Sequence, residues 1–119
     1  MADIIKPGEV ADFLLSRSRD AGEILTNLKL QKLLYYAQAW FMALYDRELF
    51  SEDFQAWAHG PVLPSQYHRF KNYAWQPLAV DVAEPTTTNE VVEHLMEIIE
   101  VFGTETAVAL EQMTHCEKP

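Results

Sequence analysis

The sequence is poor in cysteine and in basic residues, and each shortage excludes a class of function. The single cysteine, Cys116, cannot form an internal disulfide, which excludes a small domain held together by disulfides. Nine Lys and Arg against eighteen Asp and Glu leave a formal charge of −9. This charge repels phosphate backbones, so we expect no direct nucleic-acid binding as the main activity and favour a basic partner.

Long apolar runs and targeting segments are also missing. No stretch approaches the roughly 20 consecutive apolar residues of a membrane span, and no signal peptide is recognisable. We therefore expect a cytoplasmic protein without membrane contact. The 119 residues, 49% of them hydrophobic, suffice for one aromatic-rich core, which predicts a single domain over residues 1–119.

Apolar residues concentrate in one stretch, about 28–45, at the three- and four-residue steps of a helix face. The predicted core face consists of Leu30, Leu33, Leu34, Ala37, Trp40, Phe41 and Leu44. Other apolar residues fill the angles between, which is typical of a helix in the middle of a domain. The remaining polar positions, expected to form its solvent-exposed side, are Lys29, Gln31, Lys32 and Gln38. The fold class we predict is mainly α: a compact helical domain around one long apolar central helix.

Capping residues and alternation place the other elements. Pro7 opens a first helix, and Thr26 or Asn27 caps the central one by accepting a backbone N–H. Alternating residues predict a short extended segment or small β element near 54–59, with Phe54, Ala56 and Ala58 facing one way, and a second one near 77–82. Pro64 suits the first turn of another helix.

The C-terminal third is expected to hold two further helices. Thr87 and Glu90 form a capping box before a strongly periodic apolar stretch that Gly103 ends. Thr104 can cap a last short helix through Met113.

Catalytic apparatus is not visible. There is no glycine-rich phosphate loop and no serine in a nucleophile elbow. The one alternative is a hydrolase or metal site that draws on His59, His115, Cys116 and Glu117. We favour the simpler interpretation, in which both histidines hydrogen-bond backbone at turns, and we expect His68 and His94 to face solvent. The prediction is a protein that is not an enzyme and needs no cofactor or metal.

Three segments carry a resemblance to a known family. They are LQKLLYYAQAW at 30–40, LF at 49–50 and FQAWAHGPVLP at 54–64. In this order they resemble the Panacea domain, an antitoxin-associated family that includes SocA-type proteolytic adaptors and phage-associated GepA-like proteins. Further matching positions are Tyr67, Phe70, Lys71, Leu110, Thr114, His115, Glu117 and Pro119. Neither half of the motif follows from amphipathic patterning alone.

The resemblance implies a mostly helical antitoxin that neutralises a toxin protein encoded nearby, in bacteria or a prophage. Alternatives are an adaptor that delivers the bound toxin to a protease, or a phage-associated regulatory protein, and a homo-oligomer stays open. The toxin-binding residues we predict are Lys29, Lys32, Tyr36, Trp57, His59 and Tyr67. The residues assigned to the structural motif are Gly60, Pro61, Thr114, His115 and Glu117.

Overall fold

Residues 3–103, the part of the chain that the computed structural model describes, form four α-helices, a single 3-10 turn and a two-stranded hairpin. In chain order these are α1 (Pro7–Asp20), α2 (Asn27–Tyr45), β1 (Gln55–Trp57), β2 (Gly60–Val62), α3 (Pro64–Phe70), the 3-10 turn Lys71–Tyr73 and α4 (Asn89–Phe102). The prediction of a mainly helical fold with a small β element near 54–59 is confirmed. At 77–82 the expected β element reduces to one bridge between Thr26 and Pro77. The helix expected from Thr104 lies outside the described residues.

Helix α2 begins where the sequence predicts and packs against α1, α3, α4 and β2. The Thr26 hydroxyl accepts a hydrogen bond from the Lys29 backbone N–H at 3.2 Å, which satisfies one of the donors that a helix start leaves unpaired. The predicted core face is only partly buried. Leu30, Leu33, Leu34, Ala37 and Phe41 are fully enclosed, whereas Trp40 and Leu44 are at least 40% exposed.

The prediction that the polar side of α2 is solvent-exposed is wrong. Its four residues are all buried: Lys29, Gln31, Lys32 and Gln38. The physical reason is that polar ends on this side bond backbone groups of distant segments. Gln38 accepts from the Leu49 N–H at 2.8 Å and donates to the Phe50 carbonyl at 2.7 Å. The Lys29 ammonium donates to the carbonyl of Gly103, where α4 ends. Polar residues therefore connect α2 to the rest of the chain.

Helix α4 packs antiparallel to α2 and begins one residue later than predicted. Its N-cap is Thr88, not Thr87, because the Thr88 hydroxyl accepts from the Val91 N–H. His94, expected to face solvent, is buried, with Nε2 2.8 Å from the Ala37 carbonyl oxygen of α2. His68 is exposed, as predicted. No helix of residues 3–103 has the length and apolar character that a membrane crossing requires.

Candidate functional site

A cleft lies where the start of α2 meets the hairpin, α3 and the loop after the 3-10 turn. Its volume is about 280 Å³. The walls carry Trp57, Tyr67 and Trp75, with His59 and Lys71 beside them, and Gln31 contributes to the floor. We refer to this feature as the aromatic cleft. Trp75 is 81% exposed and Trp57 38% exposed. Exposure of two such bulky side chains is unusual, because tryptophan is highly buried on average.

The hairpin positions Trp57 at the rim of the aromatic cleft. Strands β1 and β2 are antiparallel, and Trp57 is paired with Gly60 next to the turn. Gly60 has a φ of 111°, a conformation that side chains with a Cβ resist, so glycine makes this tight turn possible. Every residue of β1 is exposed, and the hairpin contacts the core through β2.

The Trp57 ring has a defined orientation although it is partly exposed. It lies edge-on to the Tyr67 ring, with centroids 4.7 Å apart and planes at 66°. Its indole N–H donates to the Gln55 side-chain oxygen at 3.0 Å. Edge-to-face aromatic pairs of this kind are favourable beyond the area they bury. The ring is therefore held in place before any partner arrives.

A buried amide network forms the rigid floor of the aromatic cleft. Gln31 donates to the Asn27 side-chain oxygen at 2.9 Å and accepts from the Leu63 N–H at 2.8 Å. Asn27 in turn donates to the Tyr67 carbonyl at 3.1 Å. These bonds fix the first turns of α2 to the junction between β2 and α3. The position of Tyr67 is thus set by the helix that also forms the base of the cleft.

A strained turn presents Trp75. The preceding residue, Ala74, has φ 50° and ψ −120°, a region that is essentially restricted to glycine. Hydrogen bonds hold this turn: the Ala74 N–H donates to the Lys71 carbonyl at 3.0 Å and the Gln76 N–H to the Tyr73 carbonyl at 2.9 Å. Backbone strain of this kind costs about 1–3 kcal/mol and clusters at functional sites. Strain and exposure at the same loop mark Trp75 as a functional candidate.

The structure brings together only part of the predicted toxin-binding set. Trp57, His59 and Tyr67 meet at the aromatic cleft. By contrast, Lys29, Lys32 and Tyr36 lie on buried faces of α2, where the Tyr36 ring stacks on Phe102 at 4.3 Å. Direct contact between these three and a partner would require the surrounding packing to open, so the cleft is the accessible part of the predicted surface.

The structural-motif residues divide in the same way. Gly60 and Pro61 lie in β2, next to the aromatic cleft, where Gly60 adopts the conformation described above. Thr114, His115 and Glu117, together with Cys116, lie outside the described residues. Within residues 3–103, no group of three or more His, Cys, Asp or Glu side chains is arranged to hold a metal ion.

Trp75, Ala74 and Lys71 complete the aromatic cleft, and the predicted toxin-binding set does not include them. Trp75 follows a short helix and precedes a weakly patterned segment, where aromatic residues are equally common in cores. Alanine gives no indication of a positive φ, so the strained turn is visible only in three dimensions. The one available signal was an aromatic residue just after a helix end, with polar residues three and four positions before it.

Comparisons with known proteins agree with the motif. The family model described as Antitoxin SocA-like, Panacea domain matches residues 30–119, which include most of α2, the hairpin, α3 and α4. Antitoxin SocA of Caulobacter vibrioides (strain NA1000 / CB15N) is 41% identical over 61 residues, which are 51% of this chain and 32% of that relative. The match thus covers about a third of the relative's length. No solved structure matches the chain.

Proposed function

The chain belongs to the SocA-like antitoxin family with the Panacea domain, and from this membership we propose that it is an antitoxin that neutralises a cognate toxin protein by direct binding. The observation that carries the binding mechanism is the aromatic cleft. Its three rings are accessible, while hydrogen bonds and ring contacts hold their surroundings. Preorganised aromatic anchors of this kind supply much of the affinity of protein interfaces, because little side-chain freedom is lost on binding.

The toxin would lie across the cleft so that Trp75 and Trp57 insert between its side chains. Trp75 is the most exposed of the three aromatic residues, and it would be the anchor because the toxin can bury the 81% of it that is exposed. Tyr67 and the His59 turn then form the rim. Neutralisation follows if the surface that the toxin uses for its own activity is covered in the complex.

The test is co-purification of this chain with the protein encoded by the adjacent gene. The informative variant is Trp75→Ala, because an 81% exposed side chain contributes little to the fold. We expect the dissociation constant to rise by about tenfold or more, equivalent to about 1.4 kcal/mol. Trp57→Ala should weaken binding as well. Lys32→Glu is not a clean test, because Lys32 is buried and the substitution would disturb the fold.

Trp40→Ala is the matched control, since Trp40 is 40% exposed but lies outside the cleft. It should leave affinity within about threefold of wild type. Circular dichroism and a thermal melt on each variant separate lost binding from lost folding. Failure to isolate any complex from cells that express both genes would contradict direct binding, whatever the effect on growth.

An adaptor that delivers the bound toxin to a protease shares the first step with a simple neutraliser. Purified components distinguish the two. If the toxin loses activity on addition of stoichiometric chain without protease, binding itself neutralises. If the toxin stays active in the purified complex but disappears from cells that express both proteins, the adaptor mechanism is correct.

A further inference from the structure

A second accessible surface lies at the other end of α2. It is a groove of about 540 Å³, and Ile4, Met42 and Phe50 supply its apolar lining. Asp3, Asp46, Glu48 and Arg47 are its charged lining residues. We refer to it as the acidic groove. Ile4 is 37% and Met42 45% exposed, so apolar surface is accessible between the carboxylates.

The local charge of the acidic groove is negative because Arg47 is already engaged. The Arg47 guanidinium bonds the Glu90 carboxylate and lies over the Phe41 ring, 5.4 Å from its centroid. Among residues 3–103, Asp46 and Glu48 form no ion pair. Carboxylates beside exposed apolar side chains match a segment in which Lys or Arg accompanies an apolar residue.

The walls of the acidic groove are held by the same kind of buried amide as the floor of the aromatic cleft. Gln38 bonds the backbone of Leu49 and Phe50. The Leu49 carbonyl accepts from the N–H groups of Ile4 and Ile5 at 2.9 and 3.1 Å. Three segments are therefore fixed relative to each other before binding, which lowers the cost of association.

We propose that the acidic groove is a second toxin contact, which receives a segment of the toxin carrying Lys or Arg next to an apolar side chain. This inference rests on the proposed antitoxin function. Helix α2 has 19 residues, so the groove and the cleft lie within about 28 Å of each other along its axis. A patch of about 800 Å² per partner, the size of a standard interface, extends over a comparable distance. One toxin can therefore contact both.

The experiment compares two double variants that raise the net charge equally. Asp46→Asn with Glu48→Lys changes the groove, and Asn suits the left-handed conformation of Asp46, whose φ is 55°. Glu93→Lys with Glu97→Gln changes the exposed face of α4 instead. Toxin affinity is measured at about 50 mM and about 500 mM NaCl, because salt screens surface charges.

We expect the groove variant to weaken binding by about tenfold at low salt and by less at high salt, and the α4 variant to change it by less than about threefold. Met42→Gln should weaken binding at both salt concentrations, since it removes apolar contact. Equal losses in the two double variants would show an effect of net charge alone and overturn the proposal. So would an unchanged affinity in the groove variant. If the wild-type protein forms no complex, both the antitoxin function and the role of the acidic groove are overturned. If a complex forms and only Trp75→Ala weakens it, the role of the acidic groove alone is overturned.

A photo-crosslinking amino acid at position 42 gives an independent readout of the partner's chemistry, with position 101 on α4 as the control site. The expected product is a toxin peptide that contains Lys or Arg beside an apolar residue. A crosslinked peptide without a basic residue would contradict the proposed chemistry.

Discussion

At the scale of single residues, Gly60 and Ala74 adopt backbone conformations that side chains with a Cβ resist. Ala74 lines the aromatic cleft, and Gly60 lies next to it in β2. Gly60 is suited to its φ of 111°, whereas Ala74 is not suited to its φ of 50°. Exchanging alanine and glycine at these two positions should therefore change the stability of the protein in opposite directions.

Replacing Ala74 by glycine should stabilise the protein. Glycine relieves a strain of about 1–3 kcal/mol but increases the freedom of the unfolded chain, so the net gain should be about 1 kcal/mol. The same change at Ala43, an exposed position within α2, should cost about 1 kcal/mol instead. Thermal unfolding measures both. A melting temperature that falls for Ala74→Gly as it does for Ala43→Gly would show that the turn is not strained.

Replacing Gly60 by alanine should destabilise the protein by about 1–3 kcal/mol and lower its melting temperature by several degrees. Gly8→Ala is the control, because a Cβ there would meet the Arg69 and Gln66 side chains at an ordinary distance of 3.7 Å. An unchanged melting temperature for Gly60→Ala, measured beside a folded Gly8→Ala protein, would remove the assignment of Gly60 to a glycine-dependent turn.

At the scale of elements, the start and length of α2 could be predicted from the sequence, but its polar contacts could not. The Thr26 cap and the helical spacing are local signals. Whether Gln31 faces water or a backbone group depends on where Leu63 lies, 32 positions further along the chain. A long-range partner leaves no mark in local periodicity, which is why polar residues on a helix were expected on its exposed side.

Part of the aromatic cleft could be predicted, because several of its residues lie close to Gly60-Pro61 in the sequence. Trp57 and His59 precede the turn and Tyr67 follows it, so chain proximity indicated that they meet. Trp75 comes from a separate loop, and its placement depends on the backbone of Ala74. Lys29 and Lys32 were assigned to the exposed side of α2 because they are among its few polar positions, and burial against other segments overrides that assignment.

The buried amides of α2 make a prediction about local unfolding. Gln31→Leu leaves the Leu63 N–H without its acceptor, and Gln38→Leu does the same to the Leu49 N–H. Each change should cost about 1–3 kcal/mol, because a buried donor is left unsatisfied. Urea denaturation measures the loss, and native-state hydrogen exchange locates it. Gln31→Leu should accelerate exchange at the Leu63 amide and not at the Leu49 amide, and Gln38→Leu the reverse.

Gln76→Leu provides the control for these variants, since Gln76 is exposed and its side chain forms no hydrogen bond within residues 3–103. It should leave both stability and the two amides unchanged. Uniform acceleration at both amides in the Gln31 variant would show a global loss of stability instead of a local connection.

At the scale of the whole molecule, the surface is more acidic than the formal charge of −9 indicates. Of the eight Lys and Arg within residues 3–103, Lys29 and Lys32 are buried, whereas no Asp or Glu in the same range is. A basic toxin would therefore be attracted from a distance, independently of the contacts it finally makes. Long-range attraction and close contacts act on different rate constants. The attraction mainly raises the association rate, and the contacts mainly lower the dissociation rate.

Stopped-flow or biosensor kinetics of toxin binding should separate them. Raising NaCl from about 50 to about 500 mM should lower the association rate constant by about tenfold and change the dissociation rate constant by less than about threefold, because screening acts before contact. Trp75→Ala should do the opposite, accelerating dissociation and leaving association and its salt dependence close to wild type, since the substitution removes apolar contact without changing charge. An association rate constant that does not respond to salt would show that the acidic surface does not attract the toxin. If Trp75→Ala slowed association instead, Trp75 would guide the encounter and would not be the anchor of the final complex.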